Sequence, residues 1–231
     1  MTEVGTAGST VNSTACVTLL GGSYDPVHMG HVALGTHFSS LLHADELRVI
    51  PAGAPWPRSK LGATAPQRAE MARLAFAGLP LPVVIDRQEI ERSEHGQASY
   101  TIDTLRQVRA ELGQRASIVF LMGADQLQRL ATWREWQQLF EYAHICVAAR
   151  PGFALNDTAV PQVVADEFSR RLGSLDSIRN TPHGLTYLAQ DFAVDISATE
   201  IRAALQRGNR ANPLVSPLVL DYIEQHNLYK S

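Results

Sequence analysis

Six short apolar runs alternate with helix-like patterns along this chain, and that alternation restricts the fold more than any other feature. The runs lie near residues 16–20, 47–50, 82–86, 116–122, 144–149 and 185–189. Such alternation is typical of a parallel sheet covered by helices, and nearly continuous apolar runs indicate strands buried on both faces. The pattern therefore predicts an α/β protein, a parallel sheet with helices on both faces, with ligands gathered at the carboxyl ends of the strands.

The size and composition suit one compact unit. The chain has 231 residues and a formal net charge of -3, and no repeat or linker is visible, so residues 16–231 are predicted to form a single domain. Residues 1–15 contain mostly small polar side chains and are predicted to be a disordered tail. The charge gives no reason to expect a nucleic-acid partner. The lack of a long apolar stretch or signal peptide predicts no membrane contact and a cytoplasmic location, with Cys16 and Cys146 reduced.

Several helices have recognisable starts. Thr101 is predicted to cap one helix, Ser197 and Glu200 to form the capping box of another, and Ser216-Pro217 to open the last. Together with the predicted strands, these helix starts show which of the polar motifs described below lie at strand ends and which lie at the beginning of a helix.

The segment joining the first apolar run to the next helical pattern reads Gly-Gly-Ser-Tyr-Asp-Pro-Val-His-Met-Gly-His over residues 21–31. Adjacent glycines let a backbone approach a bulky anion, and the free amides at a helix start attract phosphate. His28 and His31 are three positions apart, so both imidazoles share one face if the helix has begun. Two plainer interpretations are an ordinary helix start at Asp25-Pro26 and a metal site, but a zinc site needs a third ligand that is not evident. The segment therefore indicates chemistry at a phosphoryl group, with no metal held by side chains.

Two further segments suit a nucleotide. Gly123 and Asp125 follow the fourth apolar run, where a carboxylate can accept hydrogen bonds from ribose hydroxyls, although Asp125 could simply cap the next helix. Ser197, Thr199 and Arg202 combine hydroxyls, free amides and a forked cation at a helix start, which predicts an anion site for a polyphosphate.

Two segments suggest contacts to a second substrate. The loop at 51–60 ends in Arg58 and Lys60, which could bind a phosphate, with a solvated, proline-stiffened surface loop as the alternative. Trp133 precedes a helical run and is predicted to stack on a flat heterocycle, whereas Trp136 is predicted to pack in the core.

These motifs resemble those of the His-x-Gly-His nucleotidyltransferases, and most closely those of the bacterial nicotinate-nucleotide adenylyltransferase family. The resemblance covers about residues 16 to 230. It is carried by the segments at 21–31, 99–105, 122–127, 133–136, 150–152 and 196–202. The segments at 21–31 and 196–202 identify the superfamily, and those at 99–105 and 123–136 narrow it to this family.

The resemblance implies a Rossmann-like nucleotidyltransferase fold and an enzyme that joins ATP and nicotinate mononucleotide, giving nicotinate adenine dinucleotide and pyrophosphate. Mg²⁺ would be held mainly by the phosphates of ATP. Carried over by motif, His28 and His31 face the α-phosphate as catalytic residues. The implied ATP-binding residues are Gly21, Gly22, Ser23, Gly30, His31, Gly123, Asp125, Ser197, Thr199 and Arg202. The implied residues for the mononucleotide are Asp25, Arg58, Lys60, Thr101, Trp133 and Arg134.

The chain departs from the family pattern in two places. Ser23-Tyr24 stands where Thr-Phe is frequent, and the loop at 51–60 differs from a common Pro-Pro-His-Lys ending, which leaves the roles of Arg58 and Lys60 open. Another adenylyl- or cytidylyltransferase, such as the pantetheine-phosphate enzyme, and a non-catalytic nucleotide sensor are the alternatives. The sequence does not decide between nicotinate and nicotinamide mononucleotide, nor between a monomer and a homo-oligomer.

Overall fold

The computed structural model describes residues 14–53, 61–155, 158–192, 196–209 and 212–230. The strands within this part of the chain are β1 (Cys16–Gly22), β2 (Glu46–Pro51), β3 (Val83–Ile85), β4 (Ser117–Gly123), β5 (His144–Ala148) and β6 (Thr186–Ala189). The helices are α1 (Met29–Leu41), α2 (Ala65–Ala75), α3 (Gln88–Glu94), α4 (Thr101–Leu112), α5 (Ala124–Leu127), α6 (Gln162–Arg170), α7 (Leu175–Asn180), α8 (Ala198–Gln206) and α9 (Pro217–Gln225). Short 3₁₀ helices lie at Leu130–Thr132 and Trp136–Glu141. Each of the six predicted strands is confirmed.

The strands form one parallel sheet in the order β3-β2-β1-β4-β5-β6. After β3 the chain returns to the middle of the sheet, so β1 and β4 are neighbours whose following connections leave in opposite directions. This is the doubly wound Rossmann order, in which ligands bind in the crevice at the carboxyl ends of the two central strands. The predicted fold class is confirmed, and the site is expected at the ends of β1 and β4.

The core lies on both faces of the sheet because successive residues of a strand point to opposite sides. In β1, Leu20 packs in one buried cluster and Leu19 in the other. The cluster around Leu20 includes side chains from α1, α2 and α9, whereas the cluster around Leu19 includes side chains from α4 and α6. Helices therefore cover both faces, as the apolar runs predict.

Most predicted helix starts agree with the structure, and two are corrected. Ser197 and Ser216 cap α8 and α9, each accepting a hydrogen bond from the backbone amide three residues later. Thr101 is the first residue of α4, and Tyr100 is its N-cap. The interpretation of Asp25 as a helix cap is wrong: α1 begins later, at Met29, and the carboxylate of Asp25 binds backbone amides elsewhere.

The predicted tail lies almost wholly outside the described residues, since its first thirteen positions are not among them. Its last residue, Ala15, accepts a hydrogen bond from the amide of Ser117 at 2.8 Å, and the carbonyl of Thr14 accepts one from Arg179. In the described ranges no helix combines the length and apolar character needed to cross a membrane.

Candidate active site

A cleft of about 1260 Å³ opens at the carboxyl ends of β1 and β4, where the topology predicts it. Among the residues that line it, those predicted from the sequence are Gly21, Gly22, Ser23, His28, Gly30, His31, Thr101, Gly123, Asp125, Trp133, Arg134 and Ser197. The amino-terminal loop and the start of α8 meet here, since a Cβ placed on Gly30 would lie 3.4 Å from the Cβ of Ile196. Segments far apart in the sequence thus share one cleft.

His28 and His31 stand at the start of α1 with their rings stacked, centroids 3.7 Å apart. The backbone amide of His28 donates a hydrogen bond to Nδ1 of His31 at 3.2 Å. Because Nδ1 accepts, the proton of the neutral ring is on Nε2, which is the donor. Burial lowers the pKa of His28 to about 4. Burial, and then the neighbouring His28, lower the pKa of His31 well below its usual value. At neutral pH both rings are uncharged hydrogen-bond donors.

Tyr24 supports His31 from the interior. Its ring lies edge-on to the imidazole, with centroids 4.9 Å apart, and its hydroxyl donates to the carbonyl of Leu20 at 2.6 Å. The backbone of Tyr24 is left-handed, with φ of 52°. A Cβ on Gly22 would come within 3.2 Å of the tyrosine ring, so glycine at this position lets the loop fold back on itself. The substitution of tyrosine for the frequent phenylalanine therefore adds a buried hydrogen bond to the loop.

The start of α4 forms another wall of the cleft. Within the described part of the chain, the side chain of its N-cap residue Tyr100 makes no capping hydrogen bond, so the first amides of α4 are not satisfied by a cap. Tyr100 and Thr101 line the cleft, and the guanidinium of Arg134 lies 4.8 Å from the centroid of the Tyr100 ring. An uncapped helix start beside an arginine favours an anion.

The two tryptophans have different positions. Trp133 lines the cleft and lies edge-on to Phe120, with ring centroids 6.0 Å apart. Trp136 packs against the buried cluster and, as far as the chain is described, is not among the lining residues. These positions agree with the prediction that Trp136 packs in the core while Trp133 is available to a ligand, and stacking of Trp133 on a ligand stays a prediction.

Ser197 lines the cleft, but Thr199 and Arg202 are not among the lining residues in the part of the chain that is described. Instead Arg202 donates through Nη1 to the carbonyl of Asp25 at 2.6 Å and through Nη2 to Oγ1 of Thr199 at 3.1 Å. The structure places Thr199 and Arg202 beside the cleft rather than in its lining, and their assignment to ATP stays a prediction. Arg202 joins α8 to the amino-terminal loop.

Asp25 is likewise not among the residues that line the cleft in the described part of the chain. Only 1% of the residue is exposed, and its carboxylate accepts hydrogen bonds from the amides of Gly62 and Ala63 and from the hydroxyl of Tyr229. These contacts occupy both carboxylate oxygens, and the assignment of Asp25 to the mononucleotide stays a prediction. Arg58 and Lys60 lie outside the described residues.

Sequence reasoning missed several lining residues. Arg129 and Arg150 contribute positive charge to the cleft, and Glu89 contributes a carboxylate that accepts a hydrogen bond from Thr104 at 2.8 Å. Burial raises the pKa of Glu89. Arg150 directly follows a predicted strand, so its position at a carboxyl end was a usable signal. Glu89 offered no such signal, because it lies inside α3.

Comparisons with known proteins point to one family. The family model described as cytidylyltransferase-like matches residues 19–204. A Herminiimonas arsenicoxydans protein named "probable nicotinate-nucleotide adenylyltransferase" is 61% identical over 218 residues, which cover 94% of this chain and 98% of the relative. A Laribacter hongkongensis protein of the same name is 41% identical over 222 residues, covering 96% and 98%.

Solved structures support the fold. The Plasmodium falciparum nicotinic acid mononucleotide adenylyltransferase complexed with NaAD superposes with a TM-score of 0.68 at 21% identity, covering 93% of this chain and 97% of that chain. The same protein complexed with APC gives a TM-score of 0.67 at 20% identity.

Proposed function

The chain belongs to the cytidylyltransferase-like family and, within it, to the nicotinate-nucleotide adenylyltransferases, and from this premise we propose how its cleft performs adenylyl transfer. The enzyme joins ATP and nicotinate mononucleotide to give nicotinate adenine dinucleotide and pyrophosphate, a step of NAD biosynthesis. The single observation that carries the mechanism is the uncharged histidine pair on a glycine loop at the switch point of the sheet.

The reaction needs no general base from the protein. The nucleophile is a phosphate oxygen of the mononucleotide, and a phosphate monoester with a second pKa of about 6 is already mostly dianionic at neutral pH. A bond forms between that oxygen and the α-phosphorus of ATP, while the bond from the α-phosphorus to the bridging oxygen breaks and pyrophosphate leaves with the electron pair. The protein must align these atoms and stabilise the charge that develops on the α-phosphoryl oxygens.

The histidine pair suits that second task. An N–H aimed at developing charge stabilises the transition state more than the ground state. The Nε2 donor of His31 is oriented because its other nitrogen accepts from the amide of His28. Gly30 preserves the arrangement, since a Cβ there would come within 3.0 Å of Nδ1 of His28. We assign the α-phosphate to His28 and His31, and the polyphosphate to the adjoining backbone at 21–23 and the α8 start at Ser197.

The start of α4 supports binding of an acid rather than an amide. The uncapped amides near Thr101 and the guanidinium of Arg134 favour a negative charge beside the ring that Trp133 would stack upon. The carboxylate of nicotinate supplies that charge, and the carboxamide of nicotinamide does not. We therefore assign Thr101, Trp133 and Arg134 to the nicotinate end of the mononucleotide and Gly123 with Asp125 to the ATP side.

We also propose that Mg²⁺ arrives bound to the triphosphate of ATP. Among the described residues there is no group of three or more His, Cys, Asp or Glu side chains that could hold a metal ion, and the cleft presents the separate carboxylates of Glu89 and Asp125. The ion would neutralise phosphate charge when bound. We further place the enzyme in the cytoplasm, acting as a monomer or a homo-oligomer.

Pyrophosphate release measured with saturating ATP and Mg²⁺ tests the function. Nicotinate mononucleotide should support turnover at least tenfold better than nicotinamide mononucleotide, an expected difference of about 1.4 kcal/mol or more in transition-state binding. Turnover with phosphopantetheine instead would identify the pantetheine-phosphate enzyme. ATP binding without product from any acceptor would identify a nucleotide sensor.

A further inference from the structure

Tyr229, near the end of the described chain, reaches the loop that carries the histidines, and we propose that it is a positioning residue for the reaction. It holds Asp25, and Asp25 holds the histidine loop, residues 21–31, in its reactive geometry. The proposal rests on the adenylyl transfer proposed above. It assigns to Tyr229 a role beyond packing that the sequence patterns did not indicate.

Asp25 connects three other segments of the chain to the histidine loop. Its Oδ1 accepts from the hydroxyl of Tyr229 at 2.6 Å and from the amide of Ala63 at 3.0 Å, and its Oδ2 accepts from the amide of Gly62 at 2.8 Å. Its backbone carbonyl accepts from Arg202 at 2.6 Å. A buried carboxylate is stable only when such donors surround it, so the position of Asp25 depends on these outside segments.

Tyr229 is fitted closely to this place. It is 6% exposed, and a Cβ on Gly62 would lie 2.5 Å from Cε1 of its ring, so glycine there leaves the space that the ring fills. The backbone of Tyr229 is left-handed, with φ of 57°. Burial and the hydrogen bond to Asp25 raise the pKa of the phenol, which stays protonated and can donate.

The loop is short enough for this contact to matter at the histidines. Asp25 lies between Ser23 and His28, both of which line the cleft. On the other side, buried Arg68 donates to the carbonyl of Ser23 at 2.6 Å. Removing the Tyr229 hydroxyl would leave a carboxylate oxygen with one donor fewer and let Asp25 shift. A displacement of about 1 Å at reacting groups can lower a rate by up to about a hundredfold.

Substitution Tyr229→Phe tests the proposal, because the ring remains and only the hydroxyl is lost. With ATP and nicotinate mononucleotide we expect kcat to fall about tenfold while both KM values change less than about twofold, since alignment is affected more than ground-state binding. The control is Val219→Ala, a fully buried position in α9 whose apolar side chain cannot hydrogen-bond to Asp25. This control should lower the unfolding temperature at least as much and keep wild-type kcat. A wild-type kcat in Tyr229→Phe, or an equal loss of kcat in the control, overturns the proposal.

A double-mutant cycle with Asp25→Ala, which leaves no side-chain acceptor for the Tyr229 hydroxyl, tests whether Tyr229 acts through Asp25. If it does, Tyr229→Phe causes little further loss of kcat in the Asp25→Ala background, and fully additive losses contradict the proposal.

A readout independent of activity separates this proposal from the proposed function. If the wild-type protein makes no product from ATP and nicotinate mononucleotide, the function fails, and amide hydrogen exchange then tests the link. Tyr229→Phe should accelerate exchange at Gly62 and Ala63, whose amides bind Asp25, relative to Val219→Ala. Unchanged exchange at both amides overturns the link.

Discussion

His28 and His31 owe their chemistry to burial and to one backbone contact. Burial keeps both rings uncharged at neutral pH, and the amide of His28 fixes which nitrogen of His31 carries the proton. An uncharged ring holds a single directed N–H, so its contribution depends on where that bond points. The catalytic value of each histidine is therefore a matter of orientation.

Replacing His31 by alanine should lower turnover far more than ATP affinity. Loss of a donor aimed at developing charge typically costs about 2.7–4 kcal/mol, roughly a hundredfold to a thousandfold in rate. Single-turnover rates and equilibrium ATP binding measure the two effects separately. His95→Ala, at an exposed position after α3, is the control and should change neither. Equal losses of rate and affinity would remove His31 from the transition-state role.

Replacing Trp133 by alanine should raise the KM for nicotinate mononucleotide about tenfold and leave the KM for ATP near its original value, because stacking is ground-state binding worth about 1–3 kcal/mol. Trp136→Ala is matched in size and lies nearby, but it packs against the core cluster. It should lower the unfolding temperature and leave the KM for the mononucleotide unchanged. Steady-state kinetics of both variants decide the assignment, and an unchanged KM in Trp133→Ala would contradict it.

Among the elements, α8 and α9 both begin with a serine N-cap, but only the serine of α8 lines the cleft. Ser197 and Ser216 each accept a hydrogen bond at 3.4 Å from the amide three residues later. Ser197 lines the cleft, whereas Ser216 is not among the lining residues in the part of the chain that the structure describes. A comparison of the two serines therefore distinguishes the effect of losing a helix cap from the effect of losing a contact to a ligand.

Both Ser197→Ala and Ser216→Ala should lower the free energy of unfolding by about 1 kcal/mol through loss of a cap. Ser197→Ala should also raise the KM for ATP severalfold, because a hydroxyl beside the polyphosphate is lost as well. Urea unfolding and steady-state kinetics provide the measurements. If the KM for ATP rises equally in both variants, the start of α8 has no special role in binding.

The elements were largely predictable, and the contacts between distant segments were not. Strand positions follow from local apolar runs, and the caps at Ser197 and Ser216 follow from local hydrogen-bonding chemistry. The interpretation of Asp25 as a helix cap was wrong because the hydrogen-bond partners of its carboxylate lie 37 and 204 positions away, at Gly62 and Tyr229. A sequence pattern shows which groups can accept a hydrogen bond, but only the assembled fold selects the donor.

For the whole molecule, the lowered histidine pKa values make stability depend on pH. Burial lowers the pKa of His28 and of His144 to about 4 from an ordinary value near 6.5. Between those values the unfolded chain binds protons that the folded chain does not, so the free energy of unfolding falls as the pH falls. Each group contributes at most about 3 kcal/mol across the window. Urea unfolding at pH 7 and pH 5 should show the loss.

His144 lies outside the candidate active site, so substituting it tests how much of the pH dependence of stability comes from a residue with no catalytic role. Its Nδ1 accepts from the amide of Leu185 at 3.0 Å, and its Nε2 lies 2.8 Å from the carbonyl of Thr181. His144→Asn keeps an acceptor for the amide but cannot be protonated. The variant should be less stable at pH 7 and should lose less stability on acidification than the wild type. Parallel stability curves would show that another group titrates in this range.

The pairing of β1 with β4 also governs when a substrate can be recognised. Leu20 lies beside Leu121 in that pairing, so two strands separated by about a hundred positions must come together before the crevice exists. Contacts of such long range form late and slow the folding of a chain. A molecule in which β1 and β4 have not yet paired therefore lacks the crevice, and a nucleotide that binds there stabilises the paired state.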